Sequence, residues 1–421
     1  MYKFSNKFNS LVIFVNIKKE KYSFDFDEYR SLSLSIDLNV LRFVFLNLSI
    51  IYPKNFIGNS KCFVIKKYLD FYRNIEYIVF NFNLTASQQH NLEMFFGCKI
   101  IDYSCLILEI FSKRAITFEG KLQVELAKLK YFYARLIHTW RHLERQKGGI
   151  GIKSGPGEKQ LEIDRRIVFN KIKKTEFRIN KLKNSRDQNR TNRFRNNIPV
   201  ISLVGYTNAG KSSLFNLLSN SNVLSNNKLF TTLDPISKPL FINGFGYILL
   251  IDTVGFIKEI PKELIYAFRV TLEEIKKSDL LLNVIDFSDH FFKDKEKLSI
   301  NILKDICFND IPILNIYNKV DLIDNFNDII DSDFHIFIST YSGYGIDNLL
   351  SNIKSSLLNK YVCKKIKITY NDLKFRSYLY NIGCVNDEFI DNDGSYILNI
   401  TLNKIKYNSI FKKYNKLNIL C

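Results

Sequence analysis

The chain has 421 residues, 46% of them hydrophobic and 24% charged, so it is long enough for several packed domains and too apolar to be disordered throughout. Lysine and arginine (61) outnumber aspartate and glutamate (42), and the net charge of +19 favours a polyanionic partner. Seven scattered cysteines without a Cys-x-x-Cys pair argue against a disulfide framework or a zinc site, and no apolar run reaches the ~18 residues of a membrane span. We therefore expect a cytoplasmic monomer without membrane insertion.

Residues 1–118 are predicted to form a small α/β domain. The apolar runs Leu11–Ile17, Leu41–Ile51 and Tyr77–Phe82 indicate strands, and Ser87–Phe96 indicates a helix. Alternation of strands and helices is typical of that class.

Residues 119–195 are predicted to form an antiparallel helical hairpin. The first helix has a heptad seam made of Leu122, Leu126, Leu129, Tyr133, Leu136, Trp140 and Leu143. A second helix is expected from about Glu158, after the glycine-rich break at residues 148–157. Glycines let backbone N–H groups come close to another surface, although a plain flexible turn explains the break as well.

The positive charge is concentrated in this hairpin and the segment behind it. Residues 121–195 hold 21 lysines and arginines and 7 acidic residues, which gives 14 of the 19 net charges. A charged stretch is usually only a solvated face, but this concentration next to a glycine tip favours nucleic acid. The candidate RNA-contacting residues are Gly149, Gly151, Lys153, Gly155, Gly157, Arg165 and Arg166.

A phosphate-binding loop follows the basic segment. The buried strand Val200–Val204 leads into Gly205, Tyr206, Thr207, Asn208, Ala209, Gly210, Lys211, Ser212 and Ser213, and a helix is expected over Ser213–Leu218. This is Gly-x4-Gly-Lys-Ser between a strand and a helix, where loop N–H groups hold phosphate. We expect Lys211 to bridge the β- and γ-phosphates as a catalytic residue and the Ser212 hydroxyl to bind Mg²⁺.

Further motifs in the expected order select the nucleotide. The strand Ile248–Ile251 leads to Asp252, Thr253, Val254 and Gly255, where Asp252 would hold the metal through water and the Gly255 N–H would sense a γ-phosphate, so Gly255 is a second catalytic candidate. The strand Pro312–Ile316 leads to Asn318, Lys319, Val320 and Asp321. Because the Asp321 carboxylate can accept two hydrogen bonds from guanine and adenine offers no such pair, GTP and GDP are favoured.

Two weaker segments complete the predicted site. Phe230, Thr231, Thr232, Leu233 and Asp234 resemble a segment that becomes ordered around γ-phosphate and Mg²⁺, with Thr232 preferred as catalytic residue and second metal ligand. The strand His335–Ile338 leads to Ser339, Thr340 and Tyr341, which would pack on the guanine, although Ser339 alone is better explained as a strand-end turn.

One substitution bears on the mechanism. Phe256 follows Gly255 where Ras-like enzymes place the glutamine that orients water, so slow intrinsic hydrolysis or help from a partner or cation is expected. Asn208 is a candidate to hold K⁺, with a plain loop-bracing role equally open. In all, we predict an α/β chain whose G domain (199–360) has a mostly parallel doubly wound sheet, followed by a small α/β C-terminal domain (361–421) with a strand at Ile366–Tyr370, a helix at Asp372–Ile382 and a strand at Ser395–Thr401.

Several stretches together resemble the HflX family of ribosome-associated GTPases. They are Leu84–Glu93, Glu119–Leu126, Trp140–Gln146 and Gly155–Glu162 with Asp164, Arg165 and Arg166, in addition to the phosphate loop and Phe230–Asp234. The resemblance implies a GTPase that binds the large ribosomal subunit through rRNA, directs its glycine tip toward the peptidyl-transferase region, and splits or rescues stalled ribosomes. The alternative is a GTP-switched RNA-binding factor in ribosome assembly. The expected location is the cytoplasm, at the ribosome or a membrane surface.

Overall fold

The structure is a computed structural model. It describes residues 8–17, 26–36, 38–72, 74–139, 156–195, 198–220, 235–256, 275–307, 311–323, 335–369, 372–382, 384–391, 393–411 and 418–420. By its contacts the chain divides into two compact units, one formed mainly by residues 1–180 and one mainly by residues 181–421.

The first unit contains a four-stranded parallel sheet. Its strands are β1 (Asn9–Ile17), β2 (Asn39–Leu48), β3 (Ile75–Phe80) and β4 (Lys99–Ile101), in the order β2-β1-β3-β4. Its helices are α1 (Phe26–Leu34), α2 (Asn59–Phe71), α3 (Ala86–Phe96) and α4 (Tyr103–Arg114). Helix α3 begins where it does because the Thr85 hydroxyl accepts from the Gln88 N–H and the Gln88 side chain accepts from the Thr85 N–H. The predicted strand Leu41–Ile51 is placed slightly too late, since β2 ends at Leu48.

Two long helices follow, and residues 181–195 of the second helix belong to the second unit. They are α5 (Phe118–Thr139) and α6 (Pro156–Arg195). Their contacts are antiparallel: Lys130 Nζ lies 2.8 Å from Glu176 Oε1, and the rings of Tyr133 and Phe169 lie 6.2 Å apart. The predicted tip residues Gly149, Gly151, Lys153 and Gly155 lie outside the described residues, as do Trp140 and Leu143 of the heptad seam. Gly157 lies in the first turn of α6.

The opposite face of α5 is fixed by two ion pairs, a buried one to α4 and a half-buried one to Asp102, the N-cap residue of α4. Lys128 Nζ donates to Glu109 Oε2 at 2.8 Å, and Arg135 Nη2 donates to Asp102 Oδ2 at 2.6 Å. Asp102 also accepts from the Tyr131 hydroxyl at 2.7 Å, and its carboxyl is fully buried, which raises its pKa against the opposing effect of Arg135. Lys128 and Arg135 therefore pair with carboxylates of the protein itself. In the sequence analysis both were included in the positive charge expected to face RNA.

The second unit contains a six-stranded sheet, which is parallel except for one antiparallel pair. Its strands are β5 (Val200–Gly205), β6 (Ile236–Ile242), β7 (Gly246–Asp252), β8 (Leu280–Asp286), β9 (Ile313–Asn318) and β10 (Ile336–Phe337), in the order β10-β9-β8-β5-β7-β6. The antiparallel pair is β6–β7 at one edge. The helices α7 (Lys211–Ser219), α8 (Phe292–Cys307) and α9 (Ile346–Leu358) connect the strands. Strands β5 and β8 are almost wholly buried and largely apolar, with only Ser202 and Asn283 as polar residues in their interiors, as is typical of parallel strands covered on both faces.

A second, antiparallel sheet lies at the end of this unit. It consists of β11 (Tyr361–Ile368), β12 (Val385–Ile390), β13 (Tyr396–Asn403) and β14 (Asn418–Leu420), in the order β12-β13-β11-β14, with helices α10 (Leu373–Ile382) and α11 (Lys404–Phe411). We call these strands the C-terminal sheet. Ile366, Leu398 and Leu402 are fully buried in its core together with Leu379 of α10.

Among the helices that the structure describes, none is both long enough and apolar enough to cross a bilayer.

Candidate functional site

The phosphate loop leaves β5 at Gly205 and enters α7 at Lys211. Gly205 has φ +136, and a Cβ there would lie 2.2 Å from the Val284 carbonyl oxygen of the neighbouring strand. Gly210 has φ +92, and a Cβ there would lie 2.1 Å from Asn318 Nδ2. Both glycines are therefore required by backbone conformation and by close packing. Asn208, which is exposed, also adopts a left-handed conformation (φ 63) that asparagine tolerates.

Helix α7 presents its first turn to this loop. Gly210 precedes the helix and supplies no side-chain cap to the first N–H groups. Such N–H groups, together with the helix dipole, attract anions. The location therefore suits a phosphate group.

Lys211 is buried beneath the loop. Its Nζ donates to the carbonyl oxygens of Gly205 (3.1 Å) and Tyr206 (2.6 Å). Burial lowers the pKa of Lys211 to about 8, and the opposite charge of Asp252 raises it only in part. Phosphate oxygens bound at the same loop would strongly stabilise the charged form of this poorly solvated ammonium group.

Ser212 and Asp252 supply oxygen ligands side by side. The Ser212 hydroxyl donates to Asp252 Oδ2 at 2.7 Å, and both residues are buried. Asp252 is the last residue of β7, directly next to β5 in the sheet. A hydroxyl and a carboxylate form the hard oxygen donor set that Mg²⁺ prefers, so the residues present fit this ion.

The segment after Asp252 lies against the loop. A Cβ on Gly255 would lie 2.8 Å from Lys211 Nζ, so Gly255 adjoins the ammonium group. The Thr207 N–H donates to the Phe256 carbonyl oxygen and the Phe256 N–H to the Gly205 carbonyl oxygen, both at 2.9 Å. The Thr253 hydroxyl donates to the Leu203 carbonyl oxygen at 2.5 Å. Phe256 is buried in an apolar cluster with Tyr206, so it offers no polar group for orienting water.

The predicted base-binding residues come together at the ends of β9 and β10. Asn318 donates through Nδ2 to the Ala209 carbonyl oxygen (2.9 Å) and accepts from the Thr340 N–H (3.1 Å), so one amide connects the two loops. The Ser339 hydroxyl donates to Asp321 Oδ1 at 2.5 Å and orients that carboxylate. Val320 is buried beneath Asp321, whereas Tyr341 is almost fully exposed.

The sequence interpretation missed one ion pair at this site. Lys319 has a left-handed backbone (φ 66), and its Nζ lies 2.6 Å from Oδ2 of Asp286. Asp286 ends the buried strand β8, and its other oxygen accepts from the Ser288 N–H and hydroxyl. The sequence signal that could have identified this pair is Asp286, an acidic residue at the end of the largely apolar strand β8.

Some predicted residues lie outside the described part of the chain. These are Phe230, Thr231, Thr232, Leu233 and Asp234, which include the preferred second metal ligand. Among the predicted RNA-contacting residues, Arg166 is exposed on α6, and Arg165 Nη2 donates to the Tyr133 hydroxyl at 3.3 Å.

Four family models match consecutive parts of the chain. They are described as GTP-binding GTPase N-terminal (residues 24–112), GTP-binding GTPase Middle Region (114–193), 50S ribosome-binding GTPase (200–319) and HflX C-terminal domain (327–417). Together they span almost the whole sequence.

Two relatives are similar over most of their length. The GTPase HflX of Escherichia coli K12 is 34% identical over 96% of this chain and 96% of its own. The GTPase HflX of Caldanaerobacter subterraneus subsp. tengcongensis is 38% identical over 87% of this chain and 85% of its own. A GTP-binding protein from Sulfolobus solfataricus, solved in complex with GDP, is 26% identical over 83% of this chain and 99% of its own, with a TM-score of 0.40, too low to support an argument.

The resemblance read from the sequence is thus confirmed by the family models and by these relatives. The phosphate loop lies between a parallel strand and a helix, as P-loop nucleotide hydrolases require. The chain belongs to the HflX family of GTPases and is a GTP hydrolase.

Proposed function

We propose that this GTPase binds the large ribosomal subunit through the helical hairpin and uses GTP binding and hydrolysis to split or rescue stalled ribosomes. The observation that carries the proposal is the hairpin itself. Helices α5 and α6 and their connection lie in a stretch with 14 of the 19 net positive charges, and Arg166 on α6 is exposed. Basic residues on such a surface attract the phosphates of rRNA.

At the nucleotide, Lys211 would contact the β- and γ-phosphates, and Ser212, Thr232 and Asp252 are the residues that would hold Mg²⁺. The chemistry that Mg²⁺ would supply there is neutralisation of charge on the phosphates. Gly255 senses the γ-phosphate through its N–H group, and Asp321, oriented by Ser339, accepts hydrogen bonds from guanine. The support is the contact of Ser212 with Asp252 and the position of Gly255 beside Lys211.

Because Phe256 offers no polar group for orienting water, efficient hydrolysis draws on a group from outside the chain, from the ribosome or from K⁺ held near Asn208. Faster turnover in K⁺ than in Na⁺ would support the cation site, and equal rates would exclude it. The division into segments 1–118, 119–195, 199–360 and 361–421 is part of the same proposal, as is a cytoplasmic location at the ribosome.

Sucrose-gradient sedimentation of assembled ribosomes with this protein and GTP tests the proposal. We expect the assembled particle to be lost and free subunits to appear, and the Lys211→Ala variant to leave the ribosomes intact. A protein that binds immature subunits and never dissociates assembled ribosomes would instead be an assembly factor.

A further inference from the structure

The hairpin of β6 and β7 connects two ends of the G domain. At one end Ile236 pairs with Asp252, and at the other end Ile242 pairs with Gly246 across a short turn. Seven paired positions at about 3.4 Å per residue separate these ends by roughly 20 Å. The two strands are paired along this whole length, so one continuous ladder joins the two ends.

The turn at the far end is held by the C-terminal sheet. The carbonyl oxygen of Phe245 accepts from Asn386 Nδ2 at 3.0 Å, from the Thr401 hydroxyl, and from Cys363 Sγ at 3.6 Å. Asn386 Nδ2 also lies 2.8 Å from Thr401 Oγ1. Three side chains from three strands of the C-terminal sheet therefore converge on one backbone oxygen.

The shape of the turn is adapted to this contact. A Cβ on Gly246 (φ +118) would lie 2.3 Å from Asn386 Oδ1, and a Cβ on Gly244 (φ +72) would lie 2.6 Å from Lys354 Nζ. The Phe245 ring is buried and contacts the ring of Tyr361 edge-on, with 6.1 Å between centroids. The close packing around the turn therefore favours a single backbone position, because close-packed interiors resist gradual deformation.

The near end of the hairpin lies at the nucleotide site. Asp252, the last residue of β7, accepts from Ser212 of the phosphate loop, and Gly255, three residues further on, lies beside Lys211 Nζ. A γ-phosphate held at this loop, which GTP has and GDP lacks, would therefore act at this end, which is what a coupling between two sites requires.

We propose that the C-terminal sheet is coupled to the nucleotide through this turn, with Asn386 and Thr401 as positioning residues that set the relative affinities for GTP and GDP. The proposal goes beyond ribosome binding and does not depend on it, so it is tested without ribosomes. By linkage, whatever partner contacts the C-terminal sheet would then favour one nucleotide over the other.

The first test measures the dissociation constants of GDP and of a nonhydrolysable GTP analogue. Thr401→Val removes the hydroxyl that binds Phe245 and keeps the side-chain shape, whereas Thr401→Ser keeps the hydroxyl. We expect the ratio of the two constants to change by at least about 5-fold in Thr401→Val and to return to the wild-type ratio in Thr401→Ser. If Thr401 served only the packing of the sheet, Thr401→Val would lower the stability of the fold and leave the ratio of the two dissociation constants unchanged.

The matched control is Thr369→Val, which removes a hydroxyl that donates to Asp372 within the C-terminal region. It should leave the ratio unchanged. If Thr401→Val and Asn386→Asp both keep the wild-type ratio within about two-fold, the coupling is refuted.

A second test uses the unmodified chain and does not depend on the folding of a variant. Hydrogen exchange is followed at β12 and β13 with GDP and with the GTP analogue. We expect several-fold different exchange rates in the two states. Equal rates throughout these strands would overturn the proposal.

Discussion

At the scale of one residue, burial of the charged Lys211 side chain in the nucleotide site lowers the stability of the fold. Its ammonium group is buried, and its pKa lies at about 8 instead of 10.5. Because the pKa is lowered on folding, the unfolded chain binds this proton more tightly than the folded chain does. Burial of the charged group therefore lowers the free energy of unfolding by its full amount below pH 8, and this loss of stability disappears as the pH rises toward 10.5. This difference in pKa corresponds to roughly 3 kcal/mol.

We therefore predict that Lys211→Met stabilises the nucleotide-free protein at pH 7 and that the gain shrinks by pH 10. Thermal unfolding at both pH values measures it. Lys319→Met is the matched control, because Lys319 is paired with Asp286 and its loss should destabilise. A Lys211→Met protein that melts no higher than the wild type at pH 7 would contradict this account of the burial penalty.

Asp321 is the second residue whose role is open to a direct test. Asp321→Asn replaces an acceptor by an amide that cannot accept both guanine hydrogen bonds, each worth about 1.5–3 kcal/mol to a charged group. GDP affinity measured by titration calorimetry should fall roughly 10²-fold or more. Ser339→Ala, which removes only the hydroxyl that orients Asp321, should cost about tenfold or less. Wild-type GDP affinity in Asp321→Asn would show that another group reads the base.

Local motifs explain why the sequence alone was enough to propose these residues. Gly205–Ser212 is one continuous segment whose glycines are required by its own backbone, so the pattern is visible without the fold. The pairing of Lys319 with Asp286 was not predicted, because it depends on β8 and β9 being neighbours in the sheet.

At the scale of elements, the two faces of α5 contact different parts of the protein. Tyr133 and Lys130 contact α6. On the other face, Lys128 forms a buried ion pair with α4, and Arg135 forms a half-buried one with the residue that caps α4. Of the residues on the first face, Tyr133 belongs to the heptad seam of the sequence and Lys130 does not. The sequence could not separate buried from exposed lysines, because both occur in one basic stretch.

The buried pair should matter far more for stability than the exposed one. Lys128→Met leaves the Glu109 carboxylate buried and unpaired, which costs about 3–5 kcal/mol, while Lys130→Met breaks a pair that is partly solvated and should cost about 1 kcal/mol or less. Hydrogen exchange of α4 and α5 measures the difference. Equal acceleration in the two variants would be inconsistent with a structural role for the buried pair.

Helix α4 and strand β12 were absent from the sequence interpretation for opposite reasons. Residues 103–111 of α4 are buried on every side, so the helix lacks the apolar stripe that marks a helix in a sequence. Strand β12 is a largely exposed edge strand with Asp387 and Glu388 in its middle, so it lacks the alternation of a half-buried strand.

At the scale of the whole molecule, one chain combines two basic helices, α5 and α6, with a GTPase site. Part of the positive charge, at Lys128 and Arg135, is neutralised inside the first unit, so the exposed residues of α6 carry the proposed attraction to rRNA. The coupling at Phe245 adds a route by which the C-terminal sheet would respond to the same nucleotide.

GTP turnover with isolated large ribosomal subunits tests the central claim most directly. Phe256 supplies no group for orienting water, so the account predicts slow hydrolysis by the protein alone and an acceleration of at least about tenfold by large subunits. The Arg166→Glu variant should need more subunits for half-maximal stimulation and keep the intrinsic rate. A rate with large subunits no higher than the intrinsic rate would contradict the account.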